Sequence, residues 1–305
     1  LKGNFKNVTL FTKDQTLSLL TSKKGKVTLN KSATKGEIEI SHAHDRKKKK
    51  RASADNPYLK HLGITNNIGE VIPKMADKYR QINKYLEIIE GLIDSSNFPD
   101  EINIVDMGSG KGYLTFALYD YLKSTLKLNI KVTGIELRPE LVEYCNTTAK
   151  KCGYENLKFM CQPIQEFEQD KIDILIALHA CDTATDDAIA KGIIAKSQLI
   201  ICAPCCHKQI RQQVKGKEQE SLLLKYGIFK ERQFEMVTDT IRALIMEEHQ
   251  YQSKIFEFVS NEHTRKNIML VGMKSDSKNE NLAQTKIKRI KQEFQIEEHY
   301  LETLV

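Results

Sequence analysis

The sequence predicts an α/β fold: a seven-stranded, mostly parallel sheet with helices on both faces, preceded by a small β-rich module. Three observations predict it. From residue 102 onward, short Val/Ile/Leu-rich runs alternate with stretches of helical spacing, the βαβ order that builds a parallel sheet covered on both sides. The first of those runs breaks into Asp106-Met-Gly108-Ser-Gly110-Lys-Gly112 immediately before a helix, a ligand-binding turn in doubly wound sheets. Residues 1–44 instead alternate apolar and polar side chains, the period of antiparallel strands.

The elements follow in order. Residues 8–11 are strand-like, and residues 26–30 and 37–41 alternate around 33–36, which suggests a hairpin too small to stand alone. Residues 46–51 are all basic and read as an exposed linker, either a plain solvated connector or an arm that contacts phosphates. Between 56 and 95 the spacing of Ile82, Tyr85, Leu86, Ile89 and Leu92 is helical. Strands are expected at 102–106, 130–136, 157–161, 172–178, 198–202, 251–259 and 267–273, with helices at 113–123, 139–152, 186–195 and 209–224. A polar linker at 275–281 leads to a last helix that presents Ile287, Ile290 and Phe294 on one face. The expected organisation is a β-rich module and basic arm at 1–55, a helical lead-in at 56–100, a ligand-binding domain at 101–274, and a linker with helix at 275–305.

Composition narrows the class. No apolar run approaches the ~18 residues of a membrane span, and no continuous apolar stretch opens the chain, so neither a membrane protein nor a secreted one is expected. Seven cysteines, an odd number lying in or beside strand-like runs, fit reduced thiols in the cytoplasm better than a disulfide framework. The net charge of +7 favours a polyanionic partner by Coulomb attraction and counterion release.

The glycines of the 106–112 turn permit a tight bend and let backbone amides approach a ligand at a helix N-terminus. The cofactor residues expected here are Asp106, Gly108, Ser109, Gly110 and Gly112. Nicotinamide-dinucleotide folds usually place a glycine where Asp106 stands. A carboxylate there suits a ligand with an amino group, such as the methionine moiety of S-adenosylmethionine. Glu136, at the tip of the second strand, is positioned to accept hydrogen bonds from ribose hydroxyls. After the third strand no Asp is present for an adenine amine, so Gln162 and backbone near Ile164 are expected to substitute, with Leu178 ending the fourth strand beside them.

Two strand tips face the other side of that crevice. The fourth runs into Leu178-His179-Ala-Cys181-Asp182-Thr-Ala-Thr185-Asp186, where His179 and Asp182 are candidates to orient or deprotonate an acceptor. Asp182, Thr183 or Thr185 could equally cap the next helix. The fifth runs into Cys202-Ala-Pro204-Cys205-Cys206-His207-Lys208, and Cys205, Cys206 and His207 complete the candidate catalytic set. With Cys181 they admit three readings: a lining of the acceptor pocket, ligands of a soft metal, or a cysteine nucleophile. No spaced pair of C-x-x-C motifs is present, so no residue is assigned as a metal ligand. The fourth tip also lacks the Asn/Asp-Pro-Pro-Tyr box that grips planar amines.

The 179–186 segment, the Pro204–Lys208 turn and Glu262-His-Thr-Arg-Lys-Asn267 resemble the methyltransferase domain 13 family. That family is similar to the tRNA 2′-O-methyltransferase of the acceptor stem and to methyltransferase-like protein 25 relatives. The resemblance covers about residues 58–273 and implies a Rossmann-like class I methyltransferase using S-adenosylmethionine. This chain lacks the tRNA enzyme's zinc fingers and has Lys208 where that enzyme has a second His. The expected function is methyl transfer to RNA, tRNA or rRNA, with the 46–51 arm, Lys208 and Arg211 on the phosphate backbone. The competing readings are a protein or small-molecule methyltransferase and a non-catalytic S-adenosylmethionine-binding protein that interacts with RNA.

Overall fold

The computed structural model describes residues 7–12, 15–22, 25–33, 50–178, 180–214, 222–258, 267–276 and 280–305. The chain divides into two compact units, Leu1–Lys49 and Lys50–Val305, so the division falls inside the basic run.

In the first unit β1 (Asn7–Phe11), β2 (Gln15–Thr21) and β3 (Val27–Ala33) form an antiparallel sheet with β2 in the centre. Leu10 stands opposite Leu17, and Leu19 opposite Leu29. The expected hairpin partner of β3, residues 37–41, lies outside the described residues. β3 pairs instead with β2, a strand that the alternation conceals because Leu19 and Leu20 are adjacent.

The second unit opens with α1 (Pro57–His61) and α2 (Ala76–Asp94). The helical lead-in is thus two helices. Between them run a bridge pairing Thr65 with Val71 and a short 3-10 turn at Pro73–Met75, because Pro73 lacks the amide a continuous helix would need. Arg51 and Ala52 donate their backbone amides to Asn83 Oδ1, and Arg51 Nε lies 2.6 Å from Glu90 Oε2. The last residue of the basic run is therefore tied to α2 rather than free in an arm; residues 46–49 lie outside the described residues.

The alternating region follows: β4 (Glu101–Met107), α3 (Tyr113–Asp120), β5 (Asn129–Glu136), α4 (Pro139–Lys151), β6 (Leu157–Cys161), β7 (Ile174–Ala177), α5 (Thr183–Ile194), β8 (Leu199–Cys202) and α6 (Lys208–Gln213). Then come α7 (Gly227–Glu248), β9 (Tyr251–Glu257), β10 (Ile268–Lys274) and α8 (Glu280–Glu293). The spacing had suggested one helix over 209–224. Instead α6 stops at Gln213, and the 22-residue α7 follows where no helix was expected.

The sheet runs β6-β5-β4-β7-β8-β10-β9, with β10 antiparallel to β8 and β9 and the remaining neighbours parallel. The strand order reverses between β4 and β7, and ligands bind at such a switch point, outside the carboxyl ends of the strands. Successive strand residues feed opposite cores. Ile174 and Ile176 pack with α1 to α4, while Leu175 and Ala177 pack with α5 to α8. A sheet covered on both faces reads in sequence as continuous apolar runs, and β7 and β8 are buried along their whole length. Among the described residues no helix is long and apolar enough to cross a membrane.

Candidate functional site

β4 ends at the switch point, and the chain turns through three glycines of positive φ, Gly108, Gly110 and Gly112. The amides of Gly108 and Ser109 donate to the Ile135 carbonyl at 2.8 and 3.0 Å, which ties the turn to β5. The Gly110 amide donates to Glu136 Oε2 at 2.9 Å. Gly112 does a different job. A Cβ there would stand 3.0 Å from the Phe116 ring and 3.2 Å from Cys145 Sγ, so this glycine lets α3 start against the core.

Asp106 is 5 % exposed, and its Oδ2 accepts a 2.5 Å hydrogen bond from the Thr115 hydroxyl. Burial pushes its pKa up to about 6; the Thr115 bond opposes that rise and the nearby Glu136 charge adds to it. Glu136, at the tip of β5, is held in the opposite way. Burial would raise its pKa, but hydrogen bonds and charge from Arg138, with the Gly110 amide, outweigh burial and leave it below the usual carboxylate value. Glu136 Oε1 accepts from the Leu137 and Arg138 amides and from Arg138 Nε at 2.9 Å. The Arg138 side chain is 60 % exposed, so its ion pair contributes at most about 1 kcal/mol.

These groups line a cavity of roughly 500 Å³ at the carboxyl ends of β4, β5 and β7, within the range of small-ligand pockets. Asp106, Gly108, Ser109, Gly110, Glu136, Gln162, Ile164 and Leu178 all line it; Gly112 does not. Sequence reasoning missed Lys78, Tyr113 and Arg138, which also line it. Lys78 comes from α2, far upstream of the turn, so no local spacing announces it. Its Nζ sits 5.5 Å from the Tyr113 ring centre, and burial lowers its pKa.

The candidate catalytic residues divide. His179 lies outside the described residues. Cys181 lines the cavity. Asp182 has φ +56 and precedes α5 without capping it. Its Oδ1 instead accepts from the amides of Lys208 and Gln209, at 2.7 and 3.2 Å, so the carboxylate caps α6 across the crevice. The Thr185 hydroxyl donates to the Ala180 carbonyl at 2.6 Å, so the expected α5 cap is absent. Cys205 Sγ lies 3.4 Å from Cys181 Sγ and 3.8 Å from Cys206 Sγ. Burial pushes the Cys205 thiol up to about 12, with further rises from the two neighbouring sulfurs, which disfavours a thiolate nucleophile near neutral pH.

His207 sits elsewhere. Its Nε2 is 3.0 and 3.1 Å from the two Asp239 carboxylate oxygens, and it lines a second cavity of about 240 Å³ with Pro204 and Asn267. Asp239 belongs to α7 and also accepts from Arg242 Nη1 at 3.1 Å. Arg242 is 1 % exposed, pairs with Asp186 of α5 at 2.7 Å and donates to the Asp182 carbonyl at 2.9 Å. This one guanidinium locks α7 to α5 and to the residue that precedes α5.

Comparison with known proteins gives the class. Residues 77–213 match a family model described as a methyltransferase domain. The donor set fits the cofactor of that class: two carboxylates at adjacent strand tips, a glycine turn between them and apolar walls beyond. Residues 77–213 are thus similar to a methyltransferase domain, and the lining of the cavity suits S-adenosylmethionine. The chain is also similar to a glutathione S-transferase C-terminal domain-containing protein of Bos taurus, with 26% identity over 194 residues, 56% of this chain and 30% of that protein. It thus spans less than a third of that relative. Among solved structures, a SAM-dependent methyltransferase from Aquifex aeolicus aligns at 12% identity and TM-score 0.39, over 63% of this chain and 90% of that one. An rRNA methylase from Streptococcus thermophilus aligns at 11% identity and TM-score 0.39, over 63% and 96% of the two chains.

Proposed function

We propose that this chain is an S-adenosylmethionine-dependent methyltransferase whose acceptor is RNA, tRNA or rRNA. The observation that carries methyl transfer is the pair Asp106 and Glu136, set at adjacent strand tips around the glycine turn of one cavity. In this reading Asp106 accepts the amino group of the methionine moiety. Glu136 accepts the ribose hydroxyls, with Arg138 giving way on its exposed side. Gln162 and Ile164 face the adenine, and Leu178 supplies an apolar wall. The cofactor supplies a methyl group on a sulfonium, transferred by in-line displacement. What the protein adds is positioning, which can supply many orders of magnitude in rate.

The acceptor is inferred from charge. The chain carries +7. Lys78, Lys111 and Arg138 line the cavity, and α6 exposes Lys208 and Arg211 just after the Cys205-Cys206 turn. Cations around such a cavity favour a phosphate backbone over a neutral metabolite. The test is transfer of tritiated methyl from S-adenosylmethionine into cell extract. Label is expected in a fraction that ribonuclease removes and protease spares, and Asp106→Ala should abolish it. Label that survives ribonuclease and is lost to protease overturns the RNA acceptor. Tight cofactor binding without any transfer overturns the enzyme reading.

A further inference from the structure

We propose that Cys181, Cys205 and Cys206 bind one zinc ion at the rim of the cofactor cavity. The three sulfurs arrive from two different strand tips, Cys181 after β7 and the vicinal pair after β8, yet all lie within 4.8 Å of one another. No disulfide joins them. Zinc–thiolate bonds of about 2.3 Å at tetrahedral angles put the sulfurs roughly 3.8 Å apart. The Cys205–Cys206 separation of 3.8 Å matches that edge, the Cys181–Cys205 separation of 3.4 Å is slightly shorter, and the third pair lies within 4.8 Å. The donor set selects the ion: thiolates favour zinc and copper(I) over magnesium or calcium.

The alternatives explain less. A lining needs apolar surface, not three convergent sulfurs. A nucleophile needs one accessible sulfur, not three from two strand tips held within reach of one ion. On binding a divalent ion each thiol loses its proton to become a ligand. Three protein ligands leave one coordination position. Zinc sites of that kind hold water or substrate in the fourth place, and here Cys181 already borders the cofactor cavity. The site stands apart from the methyl-transfer reading, because metal retention is measured without cofactor or acceptor.

The experiment uses the whole chain, purified anaerobically with a phosphine reductant, incubated with zinc and dialysed. Elemental analysis is expected to give about one zinc per chain. Cobalt(II) in its place should show a thiolate-to-cobalt charge-transfer band. Cys205→Ala and Cys181→Ser should each weaken zinc binding roughly a hundredfold against a chromophoric chelator, with circular dichroism checking that each variant is folded. Cys161→Ser, at an exposed cysteine on β6, should leave it unchanged. No retained zinc, zinc held equally by the folded Cys205→Ala and Cys181→Ser variants, a cobalt spectrum without the thiolate band, or a Cys181–Cys205 disulfide in the reduced preparation would each overturn the proposal.

Discussion

Asp106 is a buried carboxylate in the cofactor cavity whose ionisation has consequences that can be measured. Its pKa in the folded protein, about 6, stands above the ordinary carboxylate value of 3.8. Between those values the folded chain holds a proton that the unfolded chain has released, so stability falls as pH rises through this window and stays lower above it. Asp106→Asn is therefore expected to raise the melting temperature of the cofactor-free protein at pH 8, with the gain shrinking as the pH is brought to 4. Binding has the opposite sign. A ligand amino group needs the carboxylate charged, so affinity for S-adenosylmethionine should rise as pH passes about 6, and the Asn variant should lose both affinity and that pH dependence. Calorimetric titration across the range checks it. Asp106 and Glu136 were legible in the sequence because the turn and the strand order place them. Asp182 and His207 were not, because their partners, the α6 amides and Asp239 of α7, come from elements that local spacing does not link to them.

Among the elements, α7 shows why a helix can hide. Its C-terminal half is buried on several sides, including Asp239 and Arg242. Charged residues at buried positions erase the apolar stripe by which amphipathic helices are recognised. The same residues fix where it packs, since Arg242 joins Asp186 of α5 and Asp239 of α7 in one buried cluster. Removing the cation leaves two carboxylates uncompensated in the interior. Arg242→Leu should cost about 3–5 kcal/mol in urea unfolding. Arg242→Lys should recover only part of that, because an ammonium cannot donate in the planar, bidentate fashion seen toward Asp186. By contrast β4, β5, β7 and β8 were readable almost to the residue. β7 and β8, buried along their whole length, declare themselves as unbroken apolar runs, and β4 and β5 by the turns and strand tips that follow their apolar residues.

At the scale of the whole molecule, the chain divides at Lys49–Lys50 into two compact units, one with an antiparallel sheet of three strands and one with the seven-stranded sheet. Residues 50–305 produced alone are expected to unfold cooperatively, with stability within roughly 0.5 kcal/mol of the full chain; a broadened or lowered transition would show that the first unit contributes to the second. The parallel architecture was legible because βαβ order admits few alternatives. The pairing inside the first unit was not, because register there depends on which neighbour a strand meets. One property of the larger sheet bears on how it comes into being. Of this sheet's strands β10 comes last in chain order, yet it occupies an interior place between β8 and β9. Until it is synthesised, the outer edge of β8 has no neighbour and offers a wholly apolar strand to any passing chain. That edge stays open while α6, α7 and β9 are made, and over that interval the nascent sheet depends on whatever shields it.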